Sequence, residues 1–248
     1  MAPRRIASPA PAQAARRARA RRRSEQLLAA AARLMEREGS EAVSMQAVAD
    51  EAGVSVGLIY SYFANKQELL LAVIVDVLDS FATRVPSAVA AAGEDPVRRL
   101  IAAFRAYCEV IDEHRHAAVL TYRESKSLSA AGRRRIKRLE VQTSQPLREI
   151  IAAGIAAEVF QPVDVDLVAY NLLLLAHAWA LKHWYFRASL DLDTYIRRQT
   201  RLALGVLLGP ERQASYAAEL SDLERPGRPA ARRASPTGGE ARVRGRSA

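Results

Sequence analysis

The chain has 248 residues, half of them hydrophobic, with 37 basic and 27 acidic side chains and a net charge of +10. This length allows one large or two modest domains with a substantial core. The single cysteine, Cys108, excludes an intrachain disulfide, and the apolar runs are too short to predict a membrane span. The arginine-rich N-terminus lacks the apolar segment of a secretory signal.

The first residues are rich in Ala, Pro and Arg, and we expect residues 1–20 to form a disordered basic arm. Residues 1–23 carry eight arginines and no acidic residue, whereas residues 24–84 carry four basic and nine acidic ones, a net charge of −5. A DNA-binding region with that charge would need help from phosphate-neutralising arginines in the arm. These are Arg16, Arg17, Arg19, Arg21, Arg22 and Arg23. The alternative is a solvated tail that contacts nothing.

A first helix is predicted from Ser24, its N-cap, to about Glu38. Two short helices joined by a tight turn are then predicted for residues 44–63, SMQAVADEAGVSVGLIYSYF. Ser44 and Ser55 are the expected N-caps, and Gly53 stands where the first helix must stop in a left-handed conformation. The second helix has a buried stripe at helical spacing: Val54, Ile59 and Phe63.

The other face of that second helix begins with small side chains and continues with aromatic ones, which suits a helix in the major groove of DNA. Lys66 would add a cation in the first turn of a fourth helix, opened by an Asn65–Glu68 capping box and ended by Pro86. The predicted DNA contacts are Ser44, Gln46, Ser55, Val56, Gly57, Leu58, Tyr60, Tyr62 and Lys66. Because Val56 and Leu58 cannot donate to guanine, we expect them to pack on thymine methyl groups.

The run A-x-x-A-G-V-S-x-G-x-x-Y-x-Y-F-x-x-K-x-x-L, from Ala49 to Leu69, resembles the DNA-binding domain of the TetR/AcrR family of bacterial transcription regulators. The resemblance covers about residues 21–81. It implies an all-α fold of about nine helices, with a helix-turn-helix domain at residues 21–84 whose motif is 44–63. A ligand-binding and dimerisation domain would occupy residues 85–210, before a mostly disordered basic tail at 211–248.

The same residues also match a competing motif. Residues 53–57 have the pattern G-x-S-x-G, which is the nucleophile elbow of α/β-hydrolases. That chemistry needs a strand before Ser55 and a helix after it. The residues preceding Gly53 favour helix rather than strand. We therefore predict that the protein is not an enzyme.

Five further helices are predicted after Pro86, and no strand alternation appears among them. The first is capped by Asp95 with Pro96 at its first position, and ends near residue 114. The others cover about 117–125, 133–158 with a kink or break at Pro146, 164–186 and 193–208.

A ligand pocket between these helices would combine apolar and aromatic walls with a few polar anchors. The predicted lining is Phe104, Tyr107, Ile111, Tyr122, Arg123, Arg148, Leu173, His177 and Trp184. The rear part of the chain is similar to family members that sense acyl thioesters of coenzyme A or other lipophilic acids. The basic run at residues 133–138 is either a solvated face or a contact for a phosphorylated headgroup. The histidine spacings favour no metal site, and no cofactor is expected.

The last two predicted helices carry more large apolar residues than one amphipathic face needs, and in the family the corresponding helices form a four-helix bundle with a second subunit. The predicted dimer contacts are Leu172, Leu175, Trp179, Leu204 and Leu208. The resulting interpretation is a homodimeric, ligand-responsive repressor that binds a palindromic operator in the bacterial cytoplasm, at the nucleoid. The alternative is a DNA-binding or architectural protein without a small-molecule ligand.

Overall fold

The computed structural model describes residues 11–224, which form twelve α-helices and one 3-10 turn, with no strand among them. The helices are α1 Pro11–Glu38, α2 Met45–Ala52, α3 Val56–Tyr62, α4 Lys66–Ala91, α5 Pro96–Glu113, α6 Arg115–Glu124, α7 Ala130–Ala156, α8 Val165–Leu181, α9 His183–Phe186, α10 Leu192–Leu207, α11 Pro210–Ser215 and α12 Ala217–Glu224. The all-α prediction is confirmed. None of these helices is long and apolar enough to cross a membrane.

Helix α1 begins at Pro11, well before the expected start, and Ser24 lies inside it rather than at its cap. Alanine and arginine are among the strongest helix formers, which explains why a low-complexity segment of these two residues continues the helix. Residues 11–20, expected to be disordered, are therefore helical. Residues 1–10 of the expected arm lie outside the described residues.

Helices α1 to α3 and the start of α4 form a front domain, and the rest of α4 runs on into a rear domain built from α5 to α12. Helix α4 continues through Pro86 to Ala91, so neither the predicted helix end nor the predicted boundary after residue 84 is a break. Helix α7 likewise continues through Pro146. A proline in a helix removes one N–H donor, but exposed Pro86 leaves the carbonyl four residues earlier near solvent.

Helix α5 is the centre of the rear domain, where it packs against α4, α7, α8 and α10. Tyr107 and Cys108 on this helix are fully buried. The Tyr107 hydroxyl donates to the carbonyl of Thr143 on α7, which satisfies the polar atom inside the core. Burial raises the pKa of the Cys108 thiol well above its usual range, as expected for a small core residue.

The predicted helix at 164–186 is divided into α8 and the short α9, with Lys182 at the junction. Residues 211–224, expected to lie in a disordered tail, are instead mostly helical and pack on α10. Leu220 and Leu223 of α12 are buried, and Glu224 pairs with Arg201 at 3.0 Å. Residues 225–248 lie outside the described residues.

Candidate nucleic-acid interface and ligand cavity

The turn between α2 and α3 has the caps that the sequence predicts. The Ser44 hydroxyl accepts from the N–H of Ala47 at 3.0 Å, and the Ser55 hydroxyl accepts from the N–H of Leu58 at 3.3 Å. Gly53 has φ of 65°, a left-handed conformation that a side chain would strain. These contacts join residues that are close in the sequence. The orientation of α3 is therefore set by residues near it in the chain.

Helix α3 presents polar and small groups outward. Tyr60 and Tyr62 are 54% and 38% exposed. Gly57 is exposed, and a Cβ atom built on it would have no other atom within 4 Å. No contact within the subunit therefore requires glycine at that position, and an external surface can approach the backbone of α3 there. Val56 is half-buried and packs against the core, whereas Leu58 is half-buried without a core contact of this kind.

Two other predicted contact residues are engaged within the front domain. The Lys66 ammonium donates to the carbonyl of Glu41 at 2.8 Å, which fixes the start of α4 to the loop before α2. The Gln46 side chain donates to Asp50 at 2.8 Å along the exposed face of α2. Both side chains therefore stabilise the front domain, and their contact with DNA remains a prediction.

The hydrolase alternative fails on this geometry. Ser55 follows helix α2 rather than a strand, and its hydroxyl is the N-cap of α3. A nucleophile elbow needs a strand–turn–helix arrangement with an oxyanion hole at its top. No strand occurs among residues 11–224.

A small cavity of about 30 Å³ lies between α4, α5, α6, α7 and α8. Its lining is Ile74, Val77, Leu78, Phe81, Ile111, Ala118, Thr121, Tyr122, Glu140, Thr143 and His177. A second cavity of about 60 Å³ shares Leu78, Phe81 and Thr143 with the first and adds Tyr107 on α5. The space of the first holds about one water molecule, so the rear domain is tightly packed here.

The lining of the first cavity includes polar side chains. The Tyr122 hydroxyl and His177 Nδ1 are 2.9 Å apart, which joins α6 to α8. Burial lowers the pKa of His177 to about 4, and burial also raises the pKa of the Glu140 carboxyl on α7. The histidine is therefore neutral near neutral pH, and the cavity combines apolar walls with a few hydrogen-bonding groups.

The predicted pocket residues fall into three groups. Ile111, Tyr122 and His177 line the first cavity, and Tyr107 lines the second. Phe104 and Leu173 are buried in the core without lining either cavity.

The third group corrects the prediction, because its residues face elsewhere: Arg123 donates to the carbonyl of Glu36, Arg148 pairs with Asp166, and Trp184 is 72% exposed. Polar or aromatic character marks a candidate anchor, but it does not say which side of a helix faces inward.

Sequence reasoning missed the contribution of α4, which supplies Ile74, Val77, Leu78 and Phe81 to the cavity. These residues looked like the apolar face of a front-domain helix. The available signal was the length of the apolar pattern, since α4 is apolar on more sides than three front helices can cover.

The predicted dimer contacts are also corrected. Leu172, Trp179, Leu204 and Leu208 are buried inside the subunit, and Leu175 is half-buried. The same two helices expose a different apolar set, which is Leu167, Tyr170 and Leu174 on α8 with Leu202 and Val206 on α10. The surplus of apolar residues was real, but the largest side chains pack inward.

Polar contacts connect the front domain to α6. Ser40 donates to the Glu124 carboxylate, His116 contacts the Glu36 carboxylate, and Arg123 donates to the carbonyl of Glu36. The same helix lines the cavity through Ala118, Thr121 and Tyr122. Helix α6 therefore touches both the cavity and the end of α1 that leads into the helix-turn-helix.

Two family models cover most of the chain. The model described as bacterial regulatory proteins, tetR family, matches residues 27–73, and the model described as tetracyclin repressor-like, C-terminal domain, matches residues 93–205. The transcriptional regulator HbdR of Aromatoleum sp. strain CIB is 38% identical over 174 residues, which cover 70% of this chain and 76% of HbdR.

Solved structures share the fold. The ketosteroid transcriptional regulator KstR2 of Mycobacterium tuberculosis superposes with a TM-score of 0.64 at 26% identity, over 76% of this chain and 95% of that one. AibR, solved in complex with isovaleryl coenzyme A and operator DNA, has a TM-score of 0.62 at 23% identity, over 73% and 97% of the two chains. With both domains matched in order, the chain belongs to the TetR family of bacterial regulators and is a DNA-binding transcriptional regulator rather than an enzyme.

Proposed function

We propose that this regulator is a ligand-responsive repressor, which binds a palindromic operator as a homodimer and is released by a small lipophilic or acyl-thioester effector. The Tyr122–His177 hydrogen bond in the lining of a mainly apolar cavity carries the effector part of this proposal. An apolar cavity with a few converging polar groups is the usual form of a small-molecule site.

On the DNA side, α3 enters the major groove with Gly57 nearest the bases and Leu58 against a thymine methyl group. Tyr60 and Tyr62 donate to phosphates, and the front of the domain adds the predicted contacts Ser44, Gln46, Ser55 and Lys66. The exposure of the two tyrosines and the open space around Gly57 support this arrangement. Phosphate contacts set the position of the helix, while contacts to base edges select the sequence.

The dimer forms through the exposed apolar faces of α8 and α10. Leu202 and Val206 are one helical turn apart on α10, and Tyr170 and Leu174 have the same spacing on α8. Pairing these faces with a second copy removes from water the most exposed apolar side chains of both helices. A two-fold dimer would then present two α3 helices to a palindromic site.

The effector would bind where α4 and α7 meet. The two cavities share Phe81 and Thr143 in their linings, and together they are far too small for an acyl chain or a steroid. A ligand must therefore favour a state in which Phe81 on α4 moves away from α7. Movement of α4 displaces Lys66 at its start, and movement of α6 displaces Ser40, so both motions reach the front domain.

The chemistry of the cavity suits an apolar ligand with one polar group. Tyr122, His177 and Glu140 supply hydrogen-bonding groups to its lining, and the rest of the wall is mainly aliphatic and aromatic, with Thr121 and Thr143. KstR2 is described as a ketosteroid regulator and AibR was solved with isovaleryl coenzyme A, so the effector panel should contain both chemical classes.

The test is a thermal-shift screen with steroid and acyl coenzyme A ligands, followed by anisotropy with operator DNA chosen by in vitro selection. A true effector should raise the melting temperature and weaken operator binding. Tyr122→Phe should reduce the response to effector tenfold or more while preserving operator affinity. Tyr185→Phe is the matched control, because Tyr185 is exposed and does not line either cavity.

The second candidate function is a DNA-binding or architectural protein without a ligand, and the small volume of the closed cavities favours it. Under that alternative, no ligand in the panel stabilises the protein, and operator affinity is independent of all of them. Such a result would contradict the effector proposal and leave the DNA-binding function intact.

A further inference from the structure

The basic residues of the DNA-binding region are already engaged by the protein itself. Residues 24–84 carry a net charge of −5 and contain four basic residues. Arg33 and Arg37 pair with Glu51, Arg84 pairs with Glu109 and Glu113, and Lys66 donates to a backbone carbonyl. DNA carries one phosphate charge per about 1.7 Å of helix axis, so additional cations are needed to hold it.

The first turns of α7 carry four cations that form no ion pair or side-chain hydrogen bond in the described residues, although the charge of Lys137 partly offsets the rise that burial causes in the pKa of the Glu140 carboxyl. We define the basic ridge as Arg134, Arg135, Lys137 and Arg138. All four side chains are exposed, and within residues 11–224 none of them forms an ion pair or a side-chain hydrogen bond in the structure. The adjacent Arg133 differs, because it donates to the carbonyl of Leu128. The opposite face of α7, with Gly132 and Ile136, is buried and fixes the ridge outward.

The ridge lies at the end of the rear domain that is next to the front domain. A Cβ on Gly132 would be 3.7 Å from Leu71, five residues beyond the start of α4, which corresponds to about 7.5 Å along that helix. Further along, Leu139 and Thr143 line a cavity with Leu78 and Phe81, so α7 runs beside α4 in the same direction.

The turn before α7 is tied to the front domain as well. Glu124 accepts from Ser127 in this turn and from Ser40 in the loop before α2. Glu41, the next residue in that loop, is bound by Lys66. The start of α7 is therefore a close neighbour of the loop that ends at Ser44, one of the predicted DNA contacts.

We propose that the basic ridge is a second DNA-contact surface, in which the start of α7 binds backbone phosphates flanking the half-site that α3 occupies. Arginine suits this role because its guanidinium pairs with phosphate oxygens through two parallel hydrogen bonds. The ridge contributes affinity and salt dependence without sequence information, since it reaches no base. This inference rests on the DNA-binding function alone and does not involve the effector.

The experiment compares two double variants with the same loss of charge. Arg134→Gln/Arg138→Gln removes half of the ridge, and Arg98→Gln/Arg212→Gln removes two arginines at the opposite end of the rear domain, beside Glu219 and Glu158. Binding of each full-length protein to a 30-base-pair duplex of mixed sequence is measured by fluorescence anisotropy over a salt series. Thermal melts check that both variants remain folded.

The ridge variant should bind DNA at least several-fold more weakly at low salt. The slope of log K against log salt should become shallower by about 0.9 for each phosphate that the variant no longer neutralises. The distal variant should keep a slope close to that of the unmodified protein. Equal slopes for all three proteins, or an equal weakening in both variants, would overturn the proposal.

A phosphorylated small molecule is the competing occupant, and the same variants separate it from DNA. Free coenzyme A is the probe, and its thermal shift is measured with each protein. If the ridge variant showed no coenzyme A shift while binding DNA with an unchanged slope, the ridge would be a nucleotide site and the proposal would be wrong. Failure of the effector screen does not affect this test, because no effector is present in the DNA measurement.

Discussion

Ser40, just after the end of α1, donates its hydroxyl to the carboxylate of Glu124 on α6, with an O–O distance of 2.5 Å. Ser40 is 3% exposed, and Gly39 before it adopts φ of 83° to turn the chain toward this contact. Glu124 is two residues from Tyr122, which lines the cavity. This hydrogen bond thus directly connects α6, which lines the cavity, to the loop that leads into the helix-turn-helix.

Removing this link should uncouple the two domains. In Ser40→Ala the effector should still bind, but the ratio of operator affinities without and with effector should fall by up to about tenfold, since a hydrogen bond to a charged group contributes about 1.5–3 kcal/mol. Anisotropy with and without effector measures the ratio. Ser127→Ala is the control, because Ser127 donates to the same carboxylate from within the rear domain. Equal effects of the two variants would contradict the role of Ser40.

Two glycines of the helix-turn-helix should respond in opposite ways to alanine. Gly57→Ala should raise stability by up to about 1 kcal/mol through helix propensity, yet weaken operator binding, because the added methyl group points at the DNA. Gly53→Ala should lower stability by about 1–2 kcal/mol, because alanine is strained at φ of 65°. Urea unfolding and anisotropy test both. Unchanged DNA affinity in Gly57→Ala would show that this surface of α3 does not approach DNA.

Base recognition should depend on Leu58 more than on Val56, which is partly turned into the core. Replacing the contacted operator thymine by uracil removes one methyl group and should cost about 0.8 kcal/mol. In Leu58→Ala the same replacement should cost almost nothing, because the partner is gone. Tyr60→Phe should instead weaken all DNA sequences alike. If uracil at every thymine leaves affinity unchanged, specificity arises from DNA shape.

Substitution of an exposed apolar residue should prevent dimer formation, whereas substitution of a buried one should prevent folding. Leu202 is 67% exposed on α10, and Leu202→Arg should give a folded monomer instead of a dimer of about twice 27.2 kDa. Trp179 is 3% exposed and donates to Asp112 at 2.7 Å, so Trp179→Arg should prevent folding by replacing the packed indole ring with a charged group in the core. Light scattering reports mass, and far-UV circular dichroism reports helix content. A dimer that persists in Leu202→Arg would place the interface elsewhere.

Acid should destabilise the protein through His177. Its pKa is lowered by burial to about 4 in the folded state, from 6.5 in the unfolded chain. The unfolded state therefore binds more protons below pH 6.5, so stability is full above that pH and is lost as pH falls toward 4. The loss between pH 7 and pH 5 should be up to about 2 kcal/mol. Urea unfolding should show a smaller loss in His177→Gln, and the same loss in both proteins would exclude His177 as its source.

The helix-turn-helix could be predicted from the sequence because its structure is decided over short distances. The caps at Ser44 and Ser55, the left-handed Gly53 and the buried stripe of α3 each depend on residues within one or two helical turns. The same is true of Asp95, which accepts from the N–H of Arg98 and starts α5 beside Pro96. Local hydrogen bonds and backbone preferences determine these features, so the order of the residues is enough to predict them.

The cavity and the exposed faces were decided by tertiary packing. The sequence showed that α8 and α10 have more apolar residues than one face can hold. It did not show which of them are buried, and in the structure Trp179 is buried whereas Leu202 is exposed. Phe81 became a cavity residue only because α4 passes beside α7. Helical periodicity gives the angle between side chains on one helix, whereas their direction depends on where neighbouring helices lie. That direction follows from contacts between residues far apart in the chain, such as Ser40 and Glu124, which no local pattern contains.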